Sequence, residues 1–386
     1  MRIGIVAGEA SGDILGAALM TAILQRHPEC VFEGIGGPRM QAVGFNSFFP
    51  MDRLAVMGLV EPLKRLPELL RIRRFLKRHF ERKPPDLFIG IDSPDFNLHI
   101  EFYLRARGVK TAHFVSPSVW AWRQKRIFRI RESVDLMLTL FPFEAAFYQQ
   151  HGVPVEFVGH PLADQIPLTN DSLKAREQLG LNPFHKLVAL LPGSRATEVG
   201  LLGPVVIETA QWCLRRDPTI EFVLPAANSE RYQQLSQMLQ EPRRLYRQET
   251  GHELPVTLLT GQSQLAMMAA DAVLMASGTT TLEALLLKKP MVVTYKMAPL
   301  SAWLLRLLVK SRYISLPNLL SDSALVPEVL QEDARAEVLG PLVIDAVTNT
   351  QRREQLIARF DAIHQELRRN ASERAADALL ALIAKK

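Results

Sequence analysis

Short apolar runs that stop at Gly, Ser or Asp recur along this 386-residue chain, and helical stretches fill most of the gaps between them. That alternation points to parallel sheets covered by helices on both faces, because neighbouring parallel strands need a crossover long enough to hold a helix. The first half carries such runs at 2–8 (RIGIVAG), 30–36, 86–92, 110–116, 135–141 and 155–160. The same grammar restarts near 186, with runs at 186–194, 220–226, 255–261, 272–278 and 290–295. Between the halves, PLADQIPLTNDS at 161–172 is rich in Pro, Asp, Asn and Ser and reads as a linker. Residues 328–386 read as helical. The expected fold class is therefore α/β, with two doubly wound, Rossmann-like domains and a cleft between them. The expected domains are residues 1–170, residues 171–345 and a helical tail at 346–386, which either finishes the second domain or crosses back to the first.

Hydrophobic residues make up 48% of the chain and charged residues 22%, which supplies real cores and excludes a disordered or low-complexity chain. The formal net charge of +6 permits a polyanionic partner without selecting one. Cys30 and Cys213 lie far apart and outside any CxxC pattern, so neither a disulfide framework nor a structural zinc site is expected, and the compartment reads as reducing and cytoplasmic. The run Ile3–Val6 is too short for a signal h-region. The longest uncharged run, 254–270, has TGQSQ at its middle, so no membrane span is expected and any membrane contact would be peripheral.

Open α/β sheets bind ligands outside the carboxyl ends of their strands. That rule selects Gly8–Asp13, Gly34–Pro38, Asp92–Asn97, Ser116–Arg123, His160, Pro192–Glu198, Ser277–Glu283 and Tyr295–Met297. In GIDSPDFN (90–97), Asp92 stands at a strand tip, where a carboxylate can take a proton from a hydroxyl. A helix cap starting at Pro94 is an equally good reading, with Asp95 the more structural of the two acids. In LPGSRATEVG (191–200), helix-start amides near Ser194 together with Arg195 suit a phosphate, although GxxxxGK[ST] is missing. In ASGTTTLE (276–283), Ser277, Gly278 and Thr279 sit at another helix start, and Glu283 falls about one turn in, where it suits the two hydroxyls of a ribose or simply the positive helix end. SPSVWAWRQKR (116–126) sets Trp120 and Trp122 beside cations, suited to a sugar or a lipid phosphate, or to core packing. His160 reads as structural, with a minor claim on substrate. Ser11 reads as the cap of a helix over 14–24. The segment 59–83 is dense in Lys and Arg and has two apolar stripes, Leu59/Leu63/Leu66/Leu70 and Leu69/Ile72/Leu76/Phe80. One stripe suffices for packing, so the second suits anionic lipid; a packed helix with a solvated basic face is the plainer reading.

Taken in order, VAGEASGD (6–13), GIGGPRM (34–40), LAVMGLVE (54–61), GIDSPDFN, VSPSVWAWRQKR (115–126), LFPFE (140–144), LPGSR, ASGTTTLE and SLPNLL (315–320) resemble the lipid-A-disaccharide synthase family of inverting glycosyltransferases. The resemblance implies a GT-B architecture, a donor UDP-2,3-diacylglucosamine and an acceptor 2,3-diacylglucosamine 1-phosphate (lipid X). The implied products are the β-1,6-linked disaccharide 1-phosphate of lipid A biosynthesis and UDP, with no metal or other cofactor. It makes Asp92 the base for the acceptor 6′-hydroxyl. Arg195, with Gly193, Ser194, Ser277, Gly278 and Thr279, would hold the diphosphate, Glu283 the ribose, and Asn318 part of the donor. Glu9, Ser11 and Asp13 become acceptor-side or structural residues, with Trp120 and Arg123 also on the acceptor side. Leu63, Leu66, Leu69, Leu70 and Leu201, with Leu202 beside it, become contacts to the anionic inner membrane, on whose cytoplasmic face the enzyme would sit peripherally. A homodimer exchanging C-terminal segments is compatible with the tail; nucleic acid is not an expected partner. The rival readings are another GT-B UDP-sugar enzyme, such as a peptidoglycan GlcNAc transferase or a UDP-GlcNAc epimerase, and a non-catalytic binding module.

Overall fold

A computed structural model of the chain describes residues 1–54, 61–298 and 311–385, with backbone alone at 61–64. The chain divides into two compact units, residues 1–164 with 367–386, and residues 165–366. The divisions thus fall after Asp164 and Glu366, where the sequence suggested 170 and 345.

The first unit is built on seven parallel strands in the order β3-β2-β1-β4-β5-β6-β7. These are β1 (Arg2–Ala7), β2 (Val31–Ile35), β3 (Asn46–Ser47), β4 (Leu87–Ile91), β5 (Lys110–Phe114), β6 (Leu136–Thr139) and β7 (Val155–Phe157). The central strands are buried on both faces, which is why they read as continuous apolar runs. Successive side chains still alternate. Ile3 and Ile5 face a cluster with Leu19 and Ile23 of α1 (Ala10–Arg26), and Val6 faces the opposite cluster with Ile72, Leu76 and Phe80 of α3 (Glu61–Arg82) and Ile100 and Leu104 of α4 (Pro94–Arg105). Three short helices, α2 (Pro38–Ala42), α5 (Arg126–Ser133) and α6 (Pro142–Gln150), complete the crossovers, and α7 (Pro161–Gln165) leads out.

The second unit carries six parallel strands in the order β10-β9-β8-β11-β12-β13. They are β8 (Lys186–Leu191), β9 (Ile220–Ala226), β10 (Val256–Thr260), β11 (Ala272–Ala276), β12 (Met291–Tyr295) and β13 (Glu328–Leu330). Its helices are α8 (Ser172–Leu179), α9 (Ala196–Leu214), α10 (Ser229–Thr250), α11 (Ser263–Ala269), α12 (Thr280–Leu286), α13 (Leu316–Ser321), α14 (Ala336–Thr348) and α15 (Thr350–Leu367). Two strands escape the sequence pattern. Glu328–Leu330 corrects the all-helical reading of 328–386, and Asn46–Ser47 lies outside every apolar run. Both are edge strands of three residues or fewer, fixed by main-chain pairing to β12 and β2 rather than by a hydrophobic alternation.

The last helix, α16 (Ala371–Ala384), belongs to the first unit. Ala371, Ala375, Ala376 and Leu379 join the cluster of α1. Arg26 meets Glu373 at 2.6 Å and Asp377 at 2.8 Å, while the Asp164 carboxylate accepts from the amides of Asn370 (2.9 Å) and Ala371 (2.7 Å) at the start of α16.

Two N-terminal expectations meet their outcome here. Ser11 does not cap a helix: α1 begins at Ala10, the extended Glu9 takes the cap position, and neither side chain caps. Asp13, 2% exposed, accepts from the amides of Gly37 (2.9 Å), Arg39 (3.0 Å) and Met40 (3.0 Å), which pins the GIGGPRM turn and the start of α2. Its oxygens are spent on the backbone, the structural of its two readings. Removing that carboxylate strands several amides, so Asp13→Ala should cost about 3 kcal/mol or more. Urea unfolding of the full chain checks this, and an unchanged midpoint would refute the capping role.

Candidate active site

In the second unit the carboxyl ends of β8, β9, β11, β12 and β13 open onto one cavity of about 980 Å³. The PGSR turn forms one wall. Gly193 has φ +114°, and a side-chain carbon there would lie 2.8 Å from Glu198 Cβ, so the turn requires glycine. Glu198 Oε2 accepts from the amides of Ser194 (3.2 Å) and Arg195 (3.3 Å), and its Oε1 accepts from Arg195 Nη1 (2.9 Å). A carboxylate thus already rests on the positive end of the 19-residue helix α9, and this set of donors is one that holds an anion.

The opposite wall is the ASGTTT turn. Gly278, Thr279 and Thr280 line the cavity. Ser277 also lines it, but its hydroxyl donates to Ile314 O at 2.9 Å, so it stabilises the wall. Glu283 is half-buried one turn into α12, and burial alone pushes its carboxyl upward. Among the described residues it accepts no hydrogen bond; it stands in the first turn of α12, at the positive helix end, and is not one of the residues that line the cavity. Asn318, expected to touch the donor, is 1% exposed and spends its amide on Val326 and on Glu328 Oε1 (2.8 Å). Its place is behind the wall, where it orients Glu328. Glu328 itself lines the cavity and accepts from the amides of Ile314 and Ser315 and from the Ser315 hydroxyl (2.6 Å). Glu328 and the exposed, cavity-lining Arg312 carried no signal in the sequence: one sits on the unexpected edge strand, the other in an irregular segment.

In the first unit the carboxyl ends of β1, β4 and β5 form a second constellation. Asp92 and Ser93 follow β4 with φ of +52° and +45°, and Val115 follows β5 with φ +78°. Left-handed backbone at three non-glycine residues costs of order 1–3 kcal/mol each and clusters at functional sites. Asn97 Nδ2 donates to Asp92 O (2.8 Å) and Val6 O (3.2 Å), while the Asp92 amide donates to Phe114 O (2.9 Å). Ser93 packs so closely on the end of β1 that a side-chain carbon at Gly8 would lie 2.3 Å from its hydroxyl. The backbone of Asp92 is thus held from three sides, while its partly exposed carboxylate has no side-chain partner among the described residues. Neither Asp92 nor Asp95 caps α4; Asp95 pairs instead with Arg126. Glu9 and Ser11 are exposed at the end of β1.

The remaining candidates scatter. Trp120 packs edge-on against Phe143, with centroids 4.9 Å apart, and its buried indole N–H faces the Glu144 carboxyl without a hydrogen bond of ordinary geometry. Arg123 is exposed and lies 4.4 Å over Trp122. His160 stacks on Phe141 and accepts from the Leu162 amide; burial pushes it down to about 4, which leaves it a neutral structural group. Leu66 is 46% exposed and Leu201 38%, whereas Leu70 is half-buried and Leu69 packs partly against the core. Leu202 is fully buried, which corrects its reading as a lipid contact. The side chains of Leu59 and Leu63 lie outside the described residues. Among the described residues there is no helix long and apolar enough to cross a membrane and no cluster of metal-ligating groups.

Two Rossmann-like units in one chain, the second with an anion-holding helix start at its ligand edge, define the GT-B fold class. A UDP-GlcNAc 2-epimerase from Neisseria meningitidis, solved bound to UDP-GlcNAc, shares this fold with a TM-score of 0.60 at 14% identity, over 99% of this chain and 100% of that one. Within the class, the lipid-A-disaccharide synthetase family profile matches residues 3–382. A lipid-A-disaccharide synthase from Cellvibrio japonicus is 57% identical over 383 residues, covering 99% of this chain and 97% of its own. One from Hahella chejuensis is 56% identical over 385 residues, covering 100% and 95%. The chain belongs to the lipid-A-disaccharide synthase family.

Beside Trp120 in the first unit lies a titratable group with a measurable consequence. Glu144 is buried in α6, and burial pushes its carboxyl up to about 8 despite a hydrogen bond from the Phe141 amide (3.3 Å). The folded chain therefore keeps a proton that the unfolded chain releases near the ordinary carboxylate value. The associated stability is fully present below about pH 4.5 and is lost progressively as the pH rises toward 8, at ~1.4 kcal/mol per pH unit. Glu144→Gln should flatten this slope between pH 5 and 8. Urea midpoints across that range test it, and parallel profiles for the two proteins would remove Glu144 as the cause.

Proposed function

We propose that this chain joins two acylated glucosamines, taking the sugar of UDP-2,3-diacylglucosamine and attaching it to the 6-hydroxyl of 2,3-diacylglucosamine 1-phosphate. The single observation that carries the mechanism is Asp92, a strand-end carboxylate with a rigid backbone and no side-chain partner among the described residues. Such a group is arranged to receive a proton. The new bond forms between the acceptor oxygen and the anomeric carbon, the bond to the UDP oxygen breaks, and the acceptor proton passes to Asp92. UDP leaves with the electron pair. Charge grows on the diphosphate as it leaves, and the helix-start amides of Ser194 and Arg195, with the guanidinium of Arg195, are the donors that suit it. A diphosphate seated there takes the position of the Glu198 carboxylate. Gly278 and Thr279 complete the wall, and Glu283, half-buried in the first turn of the helix that follows them, is the carboxylate offered to the ribose hydroxyls.

Both substrates carry acyl chains, so the enzyme must work at a bilayer. On α3, Ile72, Leu76 and Phe80 are buried, while Leu66 (46% exposed) and Phe75 (43%) face outward among the exposed Arg71, Arg74 and Arg78. An outward apolar stripe among cations suits the surface of an anionic leaflet such as the cytoplasmic face of the inner membrane. Leu201 offers a second exposed contact, and Leu69 only a partial one because it packs on the core.

Two measurements bear on this reading. Asp92→Ala should lower disaccharide formation about 10²–10⁴-fold while UDP binding and the unfolding midpoint stay unchanged; full turnover would remove the base. Leu66→Ser should weaken binding to phosphatidylglycerol vesicles and leave the unfolding midpoint in place, whereas Phe75 also packs edge-on against Phe48 and Phe49 and is not a clean probe. Loss of the fold in Leu66→Ser would assign that residue to the core instead.

A further inference from the structure

Three helices of the first unit, α3, α4 and α5, pack side by side, and cations line their contact. Arg73 and Lys77 stand one turn apart on α3, and Arg126 and Arg129 stand three residues apart on α5. Asp95 and His99 lie between them on α4. Arg73 Nη2 donates to Asp95 O at 3.1 Å, and its guanidinium lies 5.1 Å from the Phe96 ring. Lys77 Nζ sits 4.7 Å over Tyr103, and Arg129 donates to the His99 ring. The acid facing this group is Asp95, already paired with Arg126; Arg107, a further cation near Lys77, is satisfied by Glu81 at 2.9 Å.

Among the described residues only Arg126 is paired with a carboxylate of this group, and the cations work against one another. Burial and then Arg129 lower Arg73; burial and then Arg73, Arg107 and Arg129 lower Lys77. His99 is pushed down to about 4 by burial and by Arg73, Arg129 and Lys77, so at neutral pH its ring is an uncharged acceptor for Arg129. Arg73 Nε is buried and makes no hydrogen bond. Like charges gathered on a folded surface destabilise it unless an anion is received there.

We infer that this trough receives a phosphomonoester and, resting on the function proposed above, that the ligand is the 1-phosphate of the acceptor sugar. Guanidinium forks and one ammonium converging from two helices suit a tetrahedral dianion with several free oxygens better than a single carboxylate. The placement fits the chemistry. Asp92 lies at the end of the strand that feeds α4, and the trough begins in the first turn of that helix. One turn separates Asp95 from His99, ~5.4 Å along the axis, comparable to a pyranose ring. Asp95, which heads the trough and pairs with Arg126, is three residues beyond Asp92, a stretch of chain that spans at most ~11 Å, so a glucosamine whose 6-hydroxyl meets Asp92 can direct its anomeric phosphate to the head of the trough. The same cations would also attract a phospholipid headgroup, and the experiment separates the two sources.

Arg73→Gln, Arg129→Gln and the double variant are assayed in steady state with acceptor carrying or lacking the 1-phosphate. Each single variant should raise the KM for the phosphorylated acceptor about 10-fold and the double about 100-fold, with kcat and the donor KM little changed. Wild type given the dephosphorylated acceptor should show the same loss, and the double variant should lose nothing further on it. Arg129 is exposed but donates to His99, and Arg73 is partly buried, so unfolding midpoints control for both variants. Equal losses on both acceptors would overturn the assignment. So would an unchanged acceptor KM accompanied by weaker binding to phosphatidylglycerol vesicles, which would give the cations to the bilayer. Failure of wild type to join any acylated acceptor would instead sink the proposed function.

Discussion

The first unit is organised around a turn that its backbone resists. β4 ends in two consecutive left-handed, non-glycine residues, and β5 ends beside them in a left-handed valine. Aspartate tolerates this conformation better than most residues, but serine has no such preference, and valine, branched at its β-carbon, is among the least tolerant residues there. The turn persists because Asn97, fully buried, ties the carbonyl of Asp92 to that of Val6 on the neighbouring strand. Behind Asn97 lies a fully buried pair, Glu101 and His113, 2.7 Å apart, whose carboxyl is pushed upward by burial. The catalytic candidate is therefore a partly exposed carboxylate whose backbone is anchored to the buried Asn97 of α4. Rigidity of that kind sets an attacking hydroxyl in place before reaction and leaves less reorganisation to the transition state.

The second unit solves a different problem with carboxylates turned inward. Glu198 satisfies the start of α9, and Glu328 gathers the amides of 314 and 315 with the side chains of Ser315 and Asn318. Both acids line the cavity. An anionic ligand meets one of them as a competitor for the α9 amides and the other as part of a wall whose acceptor capacity is already used. The site thus combines a positive helix end with negative groups held by the protein's own donors, which favours a ligand that offers both a diphosphate and hydroxyls.

Much of this was legible in the chain. Long strands buried on both faces leave unbroken apolar runs, so both sheets could be read off, and the rule that ligands gather at strand ends singled out Asp92, Gly193–Arg195 and Gly278–Glu283. Edge strands such as Glu328–Leu330 leave no such trace, because main-chain pairing alone defines them. With that strand went Glu328, and with Glu328 the true occupation of Asn318, whose amide looks outward in sequence and inward in space. Asp13 was ambiguous for a similar reason: its partners are main-chain amides 24 to 27 residues away, and amides carry no sequence signature. The cation trough was visible only as charge density, since the clustering depends on three helices packing together.

The fold of the last helix has a consequence for biosynthesis. Ala371, Ala375, Ala376 and Leu379 fill part of the core that also holds Ile3, Leu19 and Ile23, although more than 340 residues separate them in the chain. A ribosome releases the amino-terminal lobe first, yet that lobe cannot close its apolar face until translation is almost finished. The intervening lobe, contiguous from 165 to 366, has all its strands available earlier. The order of completion is thus the reverse of the order of synthesis, and throughout that interval the exposed face of α1 is a surface that chaperones, or a neighbouring nascent chain's own α16, are positioned to cover.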